Sequence, residues 1–99
     1  MYEIEYLQKA LDDLDEIHFY TANDNLLAAD KIVNDILDAV DRLKIFPFIG
    51  TVVADKISLS GDYRMMVFKP YLIIYRVIDT QIFIYRILHE RRYRGAILN

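Results

Sequence analysis

The chain has 99 residues, 55% of them hydrophobic, which is enough for one core and too little for two. It has no cysteine and two histidines, so disulfide scaffolds and cysteine-ligated zinc sites are excluded, and no cofactor or metal is expected. Residues 1–50 hold 4 Lys and Arg against 11 Asp and Glu, whereas residues 51–99 hold 8 against 4. This split indicates one face for an anionic partner, although solvated acidic helices explain it equally well.

No window is apolar enough for a membrane span, and the first residues lack the pattern of a signal peptide. We therefore expect a cytoplasmic chain with no membrane partner. Tyr2, Ile4 and Tyr6 alternate with glutamates, which predicts a short edge strand with one buried face.

Two amphipathic helices are predicted next. Residues 7–20 place apolar side chains at spacings of three and four, and a second such stripe runs from Ala29 to Leu43. Residues 21–25 offer turn and N-cap residues between them, so the helices should form an antiparallel hairpin. Pro47 should end the second helix near Phe46, and the aromatic residues of the 46–50 connector should anchor it.

The chain then becomes rich in β-branched and aromatic residues, in runs at 52–59, 63–68, 71–78 and 81–89. The breaks at 69–70 and 79–80 are short enough for two-residue hairpin turns. With such turns, Arg64 opposes Tyr75, which opposes Ile84, and Arg86 shares the face of Arg64.

Both faces of this predicted sheet are mostly apolar, which is unusual for an antiparallel sheet. The helical hairpin should cover one face. A segment from a partner chain is expected on the other, and the alternative is that residues 90–99 fold back over it.

Basic residues concentrate after the last strand, and they are the sharpest candidates for contact with an anionic partner. Arg86 lies among isoleucines, so it is either functional or paired with a carboxylate. The residues predicted to bind a target or partner are Arg64, Tyr75, Arg76, Arg91, Arg92, Tyr93 and Arg94.

Several segments occur in a characteristic order: ALDDLDEIHFY at 10–20, AADKIVNDILDAVDRL at 28–43, FP with Gly50, YR at 63–64, YLIIYRV at 71–77 and RILHERR at 86–92. Together they resemble the RelE/ParE superfamily of bacterial toxins, and the pattern is closer to the ParE branch. The resemblance implies one α+β domain over residues 1–99. That domain would have an N-terminal edge strand, a two-helix antiparallel hairpin on a mainly antiparallel sheet, and a short C-terminal helical segment.

The same resemblance implies the toxin of a type II toxin–antitoxin system, an addiction module of the kind that stabilises plasmids. A cognate antitoxin would neutralise it. The ParE branch inhibits growth by blocking DNA gyrase, whereas the RelE branch cleaves mRNA on the translating ribosome. Met66, Leu72 and Leu98 stand where the RelE branch keeps a lysine, an arginine and a tyrosine, so the RelE-type catalytic set is incomplete.

A substitute nuclease set is the alternative. His89 would carry the proton, Arg64, Arg86 and Arg92 would clamp phosphate, and Tyr93 would stack on a base. A third possibility is a non-toxic degenerate relative that only forms a complex.

Overall fold

A computed structural model describes residues 1–53 and 63–92, which form the predicted α+β fold. The elements are β1 (Glu3–Tyr6), α1 (Gln8–Asp24), α2 (Leu26–Asp41), a 3₁₀ helix (Arg42–Lys44), β2 (Thr51–Val52), β3 (Tyr63–Phe68), β4 (Tyr71–Ile78), β5 (Gln81–His89) and a second 3₁₀ helix (Glu90–Arg92).

The described strands form one mixed sheet in the order β1-β5-β4-β3-β2. β1 lies at an edge, as predicted, and runs parallel to β5, while the other neighbours are antiparallel. The helices cover one face, and their apolar stripes bury the main core against it. That core contains Ala10, Leu14, Ile36, Ala39, Val40, Leu43, Ile73, Tyr75, Ile82, Ile84 and Ile87.

The helical hairpin has a tighter connection than the sequence predicts. α1 continues through the predicted turn residues to Asp24, because the Asn25 N–H still donates to the carbonyl oxygen of Thr21. Asn25 alone separates the helices, and its side-chain oxygen accepts the Ala28 N–H at 3.0 Å as the N-cap of α2. The hairpin is therefore joined by one capping residue.

The second helix ends earlier than Pro47 predicts. α2 stops at Asp41 and tightens into the 3₁₀ helix, where the N–H groups of Ile45 and Phe46 both donate to the carbonyl oxygen of Arg42. Pro47 is buried, and it cannot donate a backbone hydrogen bond. It therefore prevents the helix from continuing past this point, although the helix has already ended before it.

The predicted register is confirmed for the pairing of β3 with β4, and for half of the residue pairs between β4 and β5. Arg64 pairs with Tyr75, which pairs with Ile84, as expected. A β-bulge then shifts the register between Ile74 and Tyr75, so that Ile74 pairs with Arg86. The prediction that Arg86 shares a face with Arg64 is wrong, because the bulge adds one residue to β5 at Tyr85.

The bulge lies where β5 is no longer paired with β1. β1 pairs with β5 only as far as Ile84, after which the chain turns into α1. Asp13 of α1 then takes over, and its carboxylate accepts the backbone N–H of Ile87 at 2.8 Å. The same carboxylate accepts from Arg86 Nε at 2.8 Å and from Nη2 at 3.0 Å. A side chain thus replaces a strand at this edge.

Two predicted elements lie partly outside the described residues. Of the strand predicted at 52–59, the structure describes only its beginning, in β2. Of the C-terminal helical segment, it describes the 3₁₀ helix Glu90–Arg92. Across the described ranges, neither helix is long and apolar enough to cross a bilayer.

We predict that Asp13→Ala destabilises the protein by about 3–5 kcal/mol, because it leaves a mostly buried guanidinium and a backbone N–H without an acceptor. Asp13→Asn should cost less, since its amide oxygen can still accept from Ile87. Asp12→Ala is the control. Asp12 is exposed, and its one hydrogen bond within the described residues is the i,i+4 contact with Gln8, so a change below about 0.5 kcal/mol is expected. Urea unfolding measures all three, and equal effects at Asp12 and Asp13 would refute the bridging role.

We also predict that the free energy of unfolding falls at alkaline pH and that part of this fall depends on Tyr6. Burial, aided by the negative charge of Asp41, raises the pKa of Tyr6 to about 12. As the pH rises, the tyrosine of the unfolded chain loses its proton before that of the folded chain. The contribution of Tyr6 to the free energy of unfolding is therefore complete below pH 10 and is lost as the pH rises towards 12. Tyr6→Phe should flatten the fall in unfolding free energy across that window. Tyr20→Phe, at a side chain 64% exposed, should keep the wild-type slope.

Candidate functional site

Arg64 lies on β3 and fastens the connector that follows α2. Its Nη1 donates to the carbonyl oxygens of Gly50 at 2.8 Å and of Phe48 at 3.2 Å. Its guanidinium also lies 5.0 Å from the centroid of the Phe48 ring, within the range of a cation–π contact. Arg64 is therefore committed to the backbone of its own chain.

Tyr75 holds the same connector from the core. Its side chain is fully buried, and its hydroxyl accepts the Gly50 N–H at 2.8 Å. Burial raises the pKa of Tyr75, so the hydroxyl stays protonated. Because Arg64 and Tyr75 are paired across β3 and β4, they grip residues 48–50 together. We call Phe48, Gly50, Arg64 and Tyr75 the loop anchor.

Arg86 lies away from the loop anchor and is bound to Asp13. The two side chains are 27% and 10% exposed, and the hydrogen bonds from Arg86 to the carboxylate raise the pKa of Arg86. Of the two alternatives for this arginine, pairing with a carboxylate is the one that the structure contains.

His89 and Arg92 lie together at a cleft between α1 and the ends of β4 and β5, which we call the strand-end cleft. Its volume is about 200 Å³. Arg92 Nη2 bonds Glu16 Oε1 at 2.8 Å, and the His89 ring stands edge-on to Tyr71 with centroids 5.7 Å apart. The cleft is lined by Asp13, Glu16, Ile17, Tyr20, Thr21, Tyr71, Ile87, Leu88, His89 and Arg92.

The hydrogen bonding of His89 restricts what it can do. Its Nδ1 accepts the backbone N–H of Arg91 at 3.1 Å, so the neutral ring carries its proton on Nε2. Full protonation would replace that acceptor with a donor. His89 thus stabilises the second 3₁₀ helix, on which Arg91 and Arg92 are exposed.

Arg76 lies on the opposite face of the sheet from the helices. Its guanidinium lies 5.7 Å from the centroid of the Tyr63 ring, which packs edge-on against Tyr85 at 4.8 Å. Burial, followed by the hydrogen bond with Tyr85, raises the pKa of Tyr63. Ile74 and Leu88 are buried beside them and form a second, smaller core.

The structure does not gather the predicted catalytic residues into one constellation. His89 and Arg92 share the strand-end cleft, but Arg64 pairs with Tyr75, four residues along β4 from the Tyr71 that pairs with His89. Four residues of strand span about 13 Å. Tyr93 and Arg94 lie outside the described residues. Within the described ranges, no group of three His, Cys, Asp or Glu side chains could hold a metal ion.

Sequence reasoning missed an exposed apolar segment beside the loop anchor. The aromatic residues of the connector were expected to anchor it, yet Phe46 and Phe48 are more than half exposed, and Pro47 and Gly50 are the buried members. The run FPFI after the second helix was the available signal. We define the apolar loop as Ile45, Phe46, Phe48, Ile49 and Val52.

A second exposed apolar group lies where the two helices meet. We call it the hairpin tip, and it comprises Phe19, Tyr20, Leu26 and Leu27. Acidic residues surround it in the sequence of both helices, whereas the apolar loop follows the basic residues Arg42 and Lys44. The two apolar groups therefore differ in the charge around them.

Comparisons with known proteins agree on one family. Residues 4–93 match the family model described as the ParE toxin of the type II toxin–antitoxin system, parDE. A solved structure described as a chromosomal ParDE TA system from P. aeruginosa is similar at 27% identity and a TM-score of 0.68. The similarity covers 90% of this chain and 96% of that one. A comparison with curated protein sequences gives no match.

We predict that Gly50→Ala and Tyr75→Phe both destabilise the loop anchor. A Cβ at position 50 would lie 2.6 Å from the Tyr75 hydroxyl oxygen and 3.0 Å from the carbonyl oxygen of Met65. Tyr75→Phe leaves the buried Gly50 N–H without its acceptor, which costs about 1–3 kcal/mol.

A double-mutant cycle tests the coupling, because Gly50→Ala should cost less once the hydroxyl is gone. Tyr20→Phe, at an exposed tyrosine, is the control and should leave the midpoint of thermal unfolding unchanged. Strict additivity of Gly50→Ala and Tyr75→Phe would show that the two residues act independently.

Proposed function

The chain belongs to the ParE family of toxins of type II toxin–antitoxin systems, and on that premise we propose that it inhibits growth by binding DNA gyrase in the cytoplasm. Residues 1–99 would act as one domain, kept inactive by a cognate antitoxin. In this proposal the toxin works as a binding protein and carries out no chemistry of its own.

The observation that supports the proposal most directly is that the three arginines predicted to clamp phosphate are already bonded to groups of their own chain. Arg64 donates to two carbonyl oxygens, Arg86 is held by Asp13, and Arg92 is bonded to Glu16. A nuclease would need several cations aimed at the one phosphate where negative charge develops. Here Arg86 and Arg92 bond two carboxylates of α1, three residues apart, whereas Arg64 bonds the connector, so each guanidinium is already engaged within the chain and Arg64 is directed at a separate place.

The exposed end of β5 is the surface that we assign to the target. Arg91 and Arg92 are exposed on the second 3₁₀ helix, and Arg92 keeps 57% of its side chain accessible while it contacts Glu16. Exposed guanidinium groups bind carboxylates through paired hydrogen bonds and commonly contribute much of the energy at protein interfaces. Gyrase would contact this end through its acidic groups.

The test is pulse labelling of DNA and protein synthesis in the first minutes after the chain is induced without its antitoxin. DNA synthesis should fall first while translation continues, and purified gyrase should lose supercoiling activity. Early collapse of translation would instead support the ribosome-dependent mRNA nuclease, and the absence of any growth defect would support the degenerate relative.

Variants separate inhibition by binding from cleavage. His89→Ala and Tyr93→Ala should weaken but not abolish the inhibition of DNA synthesis, because each removes one contact of the target surface or its support, whereas either should abolish a nuclease that depends on them. Arg91→Glu combined with Arg92→Glu should raise the concentration needed to inhibit gyrase by on the order of tenfold. Lys31→Glu is the matched charge reversal and should have little effect, because Lys31 lies on α2 and, within the described residues, pairs with Asp35 alone.

A further inference from the structure

The apolar loop concentrates exposed hydrophobic surface in one short segment. Ile45, Phe46, Phe48, Ile49 and Val52 are 65%, 58%, 56%, 63% and 48% exposed. Single exposed hydrophobic residues are ordinary, but a contiguous group of large ones marks an interaction surface or an aggregation risk. A protein that persists in cells needs this surface covered.

The loop is held rigidly even though its side chains face water. The Gly50 N–H is bonded to Tyr75, the carbonyl oxygens of Phe48 and Gly50 are bonded to Arg64, and the Ile49 N–H donates to the carbonyl oxygen of Phe46 at 3.3 Å. The centroid of the Phe48 ring lies 5.0 Å from the Arg64 guanidinium and 6.4 Å from the centroid of the Tyr2 ring, which is edge-on to it. A loop fixed in this way loses little conformational entropy when a partner binds.

The charge of the segment indicates the kind of partner. Residues 42–53 contain Arg42 and Lys44 and no carboxylate, and Arg64 adds a third cation beneath Phe48. Lys44 contacts Asp41 at 3.3 Å, which neutralises part of this charge. Residues 1–41, in contrast, hold 2 lysines against 11 acidic residues. A partner with apolar anchors and acidic flanks complements the loop.

We propose that the apolar loop is the docking surface for an acidic, amphipathic segment of the cognate antitoxin, separate from the surface that binds the target. This inference rests on the proposed function, in which the chain is a toxin held inactive by an antitoxin. Permanent complexes bury more hydrophobic surface than transient ones, and the antitoxin is the partner present whenever the toxin is stored. A second copy fits poorly, because contact between two such loops would bring Arg42 and Lys44 of both copies together.

The experiment uses the full chain expressed with and without the antitoxin encoded in the same module. Phe46→Ser and Ile49→Ser remove exposed side chains of the apolar loop without touching the loop anchor. Without antitoxin, both variants should still halt DNA synthesis, which shows that they are folded. With antitoxin, binding should weaken by about 30-fold or more for a central anchor residue, and growth should no longer be restored at wild-type antitoxin levels.

Phe19→Ser and Leu27→Ser are the matched controls, because these hairpin-tip side chains are 65% and 80% exposed. They should change antitoxin binding by less than about threefold. Arg42→Glu should slow association with the antitoxin, and the effect should shrink as salt screens the charges.

Four outcomes would overturn the inference. Normal neutralisation of both loop variants, or equal loss in the hairpin-tip controls, would remove the apolar loop as the antitoxin surface. Loss of inhibition with antitoxin binding intact would assign the loop to the target. A wild-type dimer in sedimentation that the loop variants dissociate would assign it to a second copy. Failure of the proposed function is distinguishable, since wild-type toxin would then leave DNA synthesis unaffected.

Discussion

The structure depends on the burial of β4 from both sides. Leu72, Ile73, Ile74 and Tyr75 are four consecutive residues with almost no exposure, and successive strand residues point to opposite faces. Such a strand must be covered on each face and flanked on each edge, by β3 and β5. The helical hairpin supplies one cover, while Ile74 packs with Leu88 into the smaller core on the other face. The remaining elements are arranged around this strand.

The cationic side chains around this sheet mostly stabilise the fold. Arg64 ties the connector to the sheet, and Arg86 ties the free edge of β5 to α1. A guanidinium suits such positions because its planar fork can satisfy several acceptors at once and remains charged. Arginines threaded through apolar strands look like a catalytic signature in the sequence. In the folded chain they join segments that are distant in sequence, and the exposed charge is displaced to the end of β5.

The surface has three separate regions that differ in charge and polarity. The end of β5 is basic and polar, the apolar loop is hydrophobic with basic flanks, and the hairpin tip is hydrophobic within acidic helices. A type II toxin must bind an antitoxin during storage and a target after release. Separate surfaces would allow each affinity to change without the other, since distant and unconnected sites contribute to binding almost additively.

The sequence by itself determined the local elements. The period of apolar residues predicted both helices, and the runs of β-branched and aromatic residues between short turn segments placed β3, β4 and β5 at their observed boundaries. The two-residue turn between β3 and β4 also determined their register. The candidate residues His89 and Arg92 were found from composition and order alone, and the structure places both at one cleft.

Only the tertiary structure decided the rest. The bulge at Tyr85 has no local signal, because it arises where β1 ends and the carboxylate of Asp13, 74 residues from Ile87, satisfies the exposed backbone. The run FPFI shows that the connector is apolar, but it does not show that Phe46 and Phe48 are exposed, since the residue type is the same whether the side chain faces the core or water. Which side chains face outward depends on the anchor formed by Gly50, Arg64 and Tyr75, whose members meet only when the sheet has assembled.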